Sequence, residues 1–481
     1  MNLKQLLFTL LLALMVTVST MAQDQQLLAE QDISGTARFI GMAGAMTAVG
    51  GDPSAVVRNN PAGLGVYRRI ESMISLDLQI DRTRHYGEAW DQQVYFIPSQ
   101  VSANFAFGDD SRSRGVIFHN LMISYSRLKN WHRIYNGAAA TTAEGSLNAV
   151  LENDVKGMNY NTFTDKNWAD NTEVTWLSEM AYQQYMLDTL PGQTNLVSVI
   201  LPNSPVGMAS KIVESGYTNQ FNINWAMNIS NRYYFGLGLG IQTLYLRKDV
   251  YYSEAFYIDE SGKSYNANYY TYLRYNGVGV NGTIGFIARP IRLLRVGVSF
   301  ETPTLMTLKT QHEGDLSAFG LESFKTPTNT YRNSSWTQPM KTSVGIAFHL
   351  PKDKGLISVQ YDAQFLKNLS TIHSLRLGAE FLPRENWYIN AGYAFTSTFK
   401  DPHFVYPLEH GSIRTDTDNR NVRWNQYASI GFGYRGRSFI GHCAYQCSWD
   451  NSVIYPHELA DGYDMRSFTH RVVFTFGFHS R

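Results

Sequence analysis

From Ile70 onward the chain alternates. Ile70, Ile74, Leu76, Leu78 and Ile80 fall on one parity; Glu71, Ser75, Asp77, Gln79 and Asp81 fall on the other, with Ser72 and Met73 as exceptions. A period of two with one apolar face is a β-strand with one dry side and one wet side. The pattern recurs with Val101, Ala103, Phe105 and Phe107 against Ser102 and Asn104, and then with Ile117, Leu121, Ile123 and Tyr125. It returns at Phe221, Ile223, Trp225, Met227 and Ile229. After the turn Ser230-Asn231-Arg232 it continues as Phe235, Leu237, Leu239, Ile241 and Tyr245 against Gly236, Gly238 and Gly240. Further strands are predicted near 269–288, 293–302, 340–350, 355–366, 372–382, 386–398, 425–435, 438–448 and 466–478. The total is about fourteen, an even number as a single-chain transmembrane barrel requires.

The connections sharpen that reading. Short ones at 108–115, 230–232, 289–292, 351–354, 383–386 and 435–438 alternate with long ones at 129–216, 247–268, 303–339, 399–424 and 449–465. Outer-membrane barrels pair short periplasmic turns with long outer loops in this way. The 129–216 stretch is polar, with a helix-like piece near Leu177–Leu187, and is expected to fold over the barrel mouth. Apolar residues in the long connections are candidates for a first docking groove. They are Leu305, Met306 and Leu308 in one, and Leu196, Val197, Val199, Ile200 and Leu201 in another. The inward strip of Gly236, Gly238 and Gly240 marks cargo space, close approach of another segment, or a bend in the wall.

One stretch does not alternate. Gly35–Arg69 is rich in Gly and Ala and ends in the turn Asn59-Asn60-Pro61-Ala62-Gly63. Such residues bury too little area to make a core alone. The expectation is a plug over 23–69 inside a barrel formed by 70–481. Ahead of it, residues 1–22 read as a cleaved export signal, with Lys4, an apolar run from Leu6 to Val18, and small Thr20 and Ala22 at the cleavage site. No later run is long and apolar enough for a transmembrane helix. The final strand, with Phe468, His470, Val472, Phe474, Phe476 and Phe478 on one face, looks like the terminal signal read by the barrel-assembly machinery.

Composition agrees. Of the 481 residues, 14% are aromatic and 17% charged, as expected for strands with one face in lipid and aromatic girdles at the rims. A net charge of +1 gives no basic field for nucleic acid. Cys443 and Cys447 share one strand face, about 13 Å apart if extended, too far for a disulfide. No phosphate-binding loop, metalloprotease motif or nucleophile elbow occurs. His403 and His410, near Asp401 and Glu409, read as solvated loop residues. No catalytic residue, metal or cofactor is expected.

Over Gly35–Tyr67 the chain resembles the FadL/TodX family of outer-membrane transporters of hydrophobic compounds. The resemblance lies in Gly35-Thr36-Ala37-Arg38, the small-residue run, Gly51-Asp52-Pro53-Ser54-Ala55 and the Asn60-Pro61-Ala62 turn. RVGVSFETPT at 295–304 and PMKTSVGIAF at 339–348 are similar too. The resemblance implies a plugged barrel that takes long-chain fatty acids or other hydrophobic small molecules and releases them sideways into the outer-membrane lipid. Within the plug, the Asn60-Pro61-Ala62-Gly63 turn reads as a rigid corner or, alternatively, a gate, and Arg38 is the plug's candidate charge; the resemblance transfers no Arg or Lys. PorV-like relatives of the fold instead bind a partner protein at the surface, which is the alternative function.

Overall fold

The computed structural model describes residues 32–85, 90–108, 114–164, 172–328, 330–365, 371–397 and 412–480. The export signal, residues 23–31 of the expected plug, and His403 and His410 with their neighbours lie outside the described residues. The strands form one antiparallel sheet that closes on itself as fourteen wall strands. The first strand, Glu71–His85, pairs with the last, Tyr463–His479, from Glu71 opposite His479 to His85 opposite Met465. Two wall strands are interrupted. Leu294–Glu301 resumes as Thr304–Ala318, and Thr330–Gln338 resumes as Met340–His349. The breaks fall at Pro303 and Pro339, where the missing N–H removes a ladder bond.

The parity read from the sequence holds. Ile74, Leu237, Leu239 and Phe476 point outward and are exposed; Asp77, Gln79 and Asp81 point inward and are buried. The exceptions keep the register, with Met73 inside and Ser72 outside. Aromatic pairs ring the outer face at two levels. Trp387 packs on Phe432 and Tyr434, and Phe439 on Phe478, at one level; Tyr217 meets Tyr245 at the other. A polar lumen, an apolar belt and aromatic rims are the exterior of a membrane-spanning barrel. Among the described residues no helix is long and apolar enough to cross a membrane.

The strands run further than predicted. Val116–Thr142, Pro205–Ile229, Tyr233–Tyr257 and Ser264–Ile291 contain 25 to 28 residues, against roughly ten needed to span lipid. The long connection 129–216 therefore shrinks to 143–204, 247–268 to 258–263, 303–339 to 319–329, and 449–465 to 456–462. Beyond the lipid the outward face has no need to be apolar. The hydrophobic alternation fades there while the hydrogen-bonded ladder continues.

Candidate functional site

Three layers fill the lumen. The lowest is Asp32–Tyr67, which is almost entirely buried within the ring. Its helix Ala37–Gly41 starts on Thr36, whose side chain accepts from the Phe39 N–H. Its helix Pro53–Arg58 starts on Asp52, which accepts from Ser54 and Ala55 and carries Pro at the first turn. The 3-10 turn Pro61–Val66 starts on Asn60, which accepts from Ala62. Thr36 Oγ1 donates to both Asp52 oxygens at 2.7 and 2.8 Å, which ties the first two helix starts together.

This layer meets the wall by backbone contact. Inward glycines come as directly opposed pairs: Gly236 with Gly285, Gly297 with Gly345, and Gly378 with Gly392. A Cβ on Gly236 would overlap Ala62 and Pro61, on Gly297 Thr47 and Ala48, and on Gly392 Met42 and Ala43. Polar side chains complete the fit from around the ring. Asn60 Nδ2 donates to the Thr47, Phe286 and Val298 carbonyls. Gln360 Oε1 accepts from the Met46 and Thr47 N–H groups and from Asn59. Thr475 accepts from Ala37, and Asn120 donates to Leu64 and Tyr67. Arg38 forms a two-toothed pair with Glu380, at 2.7 and 2.9 Å.

Above it lies an apolar band: Trp131, Leu244, Leu246, Leu273, Tyr275, Met306, Leu308 and Trp336, all buried. The Trp336 indole N–H in this band has no acceptor among the described residues, and a buried donor left unmet costs about 1–3 kcal/mol.

The top layer is built from residues 143–164 and 172–204. Helices Leu147–Asp154 and Trp176–Gln183 and the strand pair Leu187–Thr189 with Leu196–Ser198 pack against Met208, Tyr252, Phe256, Tyr269 and Leu316 of the wall extensions. The Trp176 N–H donates to the Ser412 carbonyl, and residues 412–418 run beneath the cap. Arg414 grips Asp416 there at 2.6 and 2.9 Å, and Lys248 reaches Asp418 at 2.8 Å. Burial raises the Asp416 pKa, but Arg414 and Lys248 more than offset that and hold it below the usual carboxylate range.

Beside the lowest layer the wall ladder is incomplete. Asp91–Gly108 pairs with Val116–Thr142 only from Gln100 to Gly108, although Thr83 to Leu76 pair with Asp91 to Pro98 on the other side. The partner strand bulges between Arg127 and Lys129 and continues with both faces buried at 128–131. The slit is bridged by side chains: Tyr95 stacks on His132 at 4.1 Å, and Asn136 donates to Asp91 at 2.6 Å. Outward Val94 and Phe96, 54% and 66% exposed, flank it on the lipid side. The start of the lowest layer sits at the slit. Lys129 binds Asp32 at 2.9 Å, Arg471 donates to the Ile33 carbonyl, and Arg58 donates to the turned-in carbonyls of Arg127 and Leu128.

The residues singled out from the sequence separate. Asn60, Pro61, Ala62 and Gly63 lie in the lowest layer, with Gly63 against Gly50. Gly236 abuts Pro61–Ala62, whereas the space at Gly238 and Gly240 is taken by Asn224, Asn281 and Gln220, so the strip is filled. Leu305, Met306 and Leu308 belong to a wall strand instead of a loop. Leu305 faces lipid; Met306 and Leu308 face the lumen. Leu196 and Ile200 are spent in the cap core. Trp131, Leu244, Leu246, Leu273 and Trp336 were not picked out. For Leu244, Leu246 and Leu273 the signal was an apolar residue on the wet parity, as where Leu244 and Leu246 flank outward Tyr245; Trp131 and Trp336 lie across the Arg127/Lys129 bulge and the Pro339 break, which swap the parity. Among the described residues no group of three or more metal-ligating side chains forms.

A closed fourteen-strand antiparallel barrel, dry outside, with an amino-terminal segment and an apolar band inside, defines a transmembrane β-barrel with an occupied lumen. Its fold is that of solved hydrophobic-compound transporters. It matches a Pseudomonas aeruginosa FadL homologue with TM-score 0.55 and 11% identity, over 93% of this chain and 98% of that one. It matches the P. putida toluene transporter TodX with TM-score 0.51 and 10% identity, over 94% and 100%. The monoaromatic hydrocarbon channel CymD gives 0.52 and 10%, over 93% and 98%. TodX is named a transporter and CymD a channel. No protein-family model and no curated protein matches the sequence.

Proposed function

We propose that the protein carries hydrophobic small molecules, long-chain fatty acids or other apolar compounds, passively across the outer membrane. In this reading Asp32–Tyr67 blocks the straight path, and cargo leaves through the slit between Asp91–Ser99 and Arg127–Thr142 into the surrounding lipid. The observation that carries it is the interrupted ladder, lined by apolar residues outside and reached by Trp131 of the lumenal band inside. A sixteen-carbon chain gains roughly 12 kcal/mol on leaving water. That is enough to load an apolar band, and transfer from band to bilayer then needs no energy source. The Trp336 N–H supplies one polar handle in the band.

The fold shared with the FadL homologue, TodX and CymD supports the same reading. A partner protein, the alternative, would have to dock on the long 129–216 connection. Its core segment turns its apolar side chains onto the inner rim of its own barrel, leaving less surface for a partner. The test is a cysteine pair, Tyr95→Cys with His132→Cys, across the slit. Oxidation is expected to stop uptake of labelled oleate and toluene, and reduction to restore it. Uptake of both that is indifferent to the lock removes the lateral route. Uptake equal in cells lacking the gene removes the transport function altogether.

A further inference from the structure

A cavity of about 640 Å³ lies on the outward face of the wall, away from the lumen, with Asn136 of the slit at one end. It is a trough built from five strands beyond the upper aromatic rim. Two registered rows cross it. One is Asn136, Lys211, Tyr251, Tyr270 and Asp315; the other is Ala138, Ala209, Ser253, Asn268 and Ser317. The alternate residues Tyr252 and Tyr269 point the other way, into the cap core, so the trough is the outward face of the wall extension. Tyr251 and Tyr270 lie ring to ring at 5.0 Å, and Tyr251 is 47% exposed. The Tyr270 hydroxyl donates to Asp249, which fixes its ring.

The chemistry narrows the occupant. Hydroxyl and amide groups in the trough would be left without partners by an acyl chain, and one Lys against one Asp makes no field for a polyanion. The three middle strands beneath it are paired on both edges, so a peptide cannot add to them as a strand. Tyrosine faces beside Asn and Ser side chains suit a ring that is apolar on its faces and hydroxylated at its edge. Position narrows it again. Tyr251 lies six residues past Tyr245 of the aromatic rim, about 15 Å above it for a tilted strand. That is the level of lipid headgroups. We propose that the trough binds a saccharide, the sugar headgroup of the lipopolysaccharide around the barrel. The proposal rests on the outer-membrane reading above.

The probe is the lipid-free oligosaccharide released by mild acid from the cells' own lipopolysaccharide, titrated into the detergent-purified full chain. Binding is expected, with Tyr251→Ala and Tyr270→Ala each weakening it about three- to tenfold. Ser253→Trp, which fills the trough without removing a tyrosine, should abolish it, and Tyr233→Ala on the lower belt should leave it unchanged. No binding at millimolar sugar, or equal binding by all variants, overturns the proposal. Membrane fractionation of the same cells separates the two failures. A protein in the outer membrane that ignores the sugar sinks the trough alone; one found elsewhere sinks the outer-membrane reading.

Discussion

The plug layer and the cap fill the same barrel by opposite means. The plug layer, Asp32–Tyr67, is small residues pressed against glycine pairs, held by hydrogen bonds from side chains around the ring. The cap, residues 143–164 and 172–204, has an ordinary apolar core shared with the wall extensions. Glycine contact brings backbones close but buries little area per residue, so specificity rests on directional polar bonds. An apolar core is forgiving in detail and strong in sum. The plug layer is accordingly the part whose position depends on a few identifiable groups spread around the ring, with Lys129, Arg58 and Arg471 among them beside the slit.

The sharpest way to break this contrast is Arg38→Leu. It leaves Glu380 buried and unpaired, at a cost of about 3–5 kcal/mol. Hydrogen exchange should accelerate across 32–67 and stay unchanged in the cap. Equal loosening of both layers would erase the distinction. Leu151→Ala is the mirror experiment. Leu151 is fully buried in the cap core, and its truncation should cost about 2–5 kcal/mol, felt by the cap helices and not by the plug layer.

Gly392→Ala comes next. Its methyl would overlap the Met42–Ala43 backbone, so overpacking of about 1–3 kcal/mol is expected. The readout is faster proteolysis of the amino-terminal segment in a barrel that remains heat-resistant. The smallest effect is on acidity. Asp416 titrates below its unfolded value, so the stability it lends the cap is complete above about pH 4 and is lost as pH falls further. Fluorescence of Trp176 should stay flat from pH 7 to about 4 and change below, and Asp416→Asn should remove that step.

The membrane part of the wall was legible because lipid imposes a rule on each residue. Ile74 or Leu239 outside and Asp77 or Gln79 inside repeat at period two, and strand number follows from counting. The rim was less legible. In Tyr265–Tyr275 polar and aromatic residues occupy both parities, since water tolerates either, and the strand was read as a loop at its outer end. Gly236 was noticed, but whether a bare backbone marks empty space or a close neighbour depends on what lies opposite. Here Pro61–Ala62 lies opposite Gly236, and Asn224 reaches over Gly238.

What the sequence determined alone was therefore local and periodic: a strand-built wall with a dry outside, and a small-residue segment, ending in the Asn60-Pro61-Ala62 turn, unable to stand by itself. What the tertiary structure decided was pairing at long range. Arg38 meets Glu380, Trp131 joins Met306 and Trp336, and Asp91–Ser99 is left without a neighbour on one edge. Alternation specifies which face a residue takes. Which strand departs from its neighbour, and which distant group fills the space, is settled only when the ring closes around the plug layer and all the lumenal side chains compete for one volume.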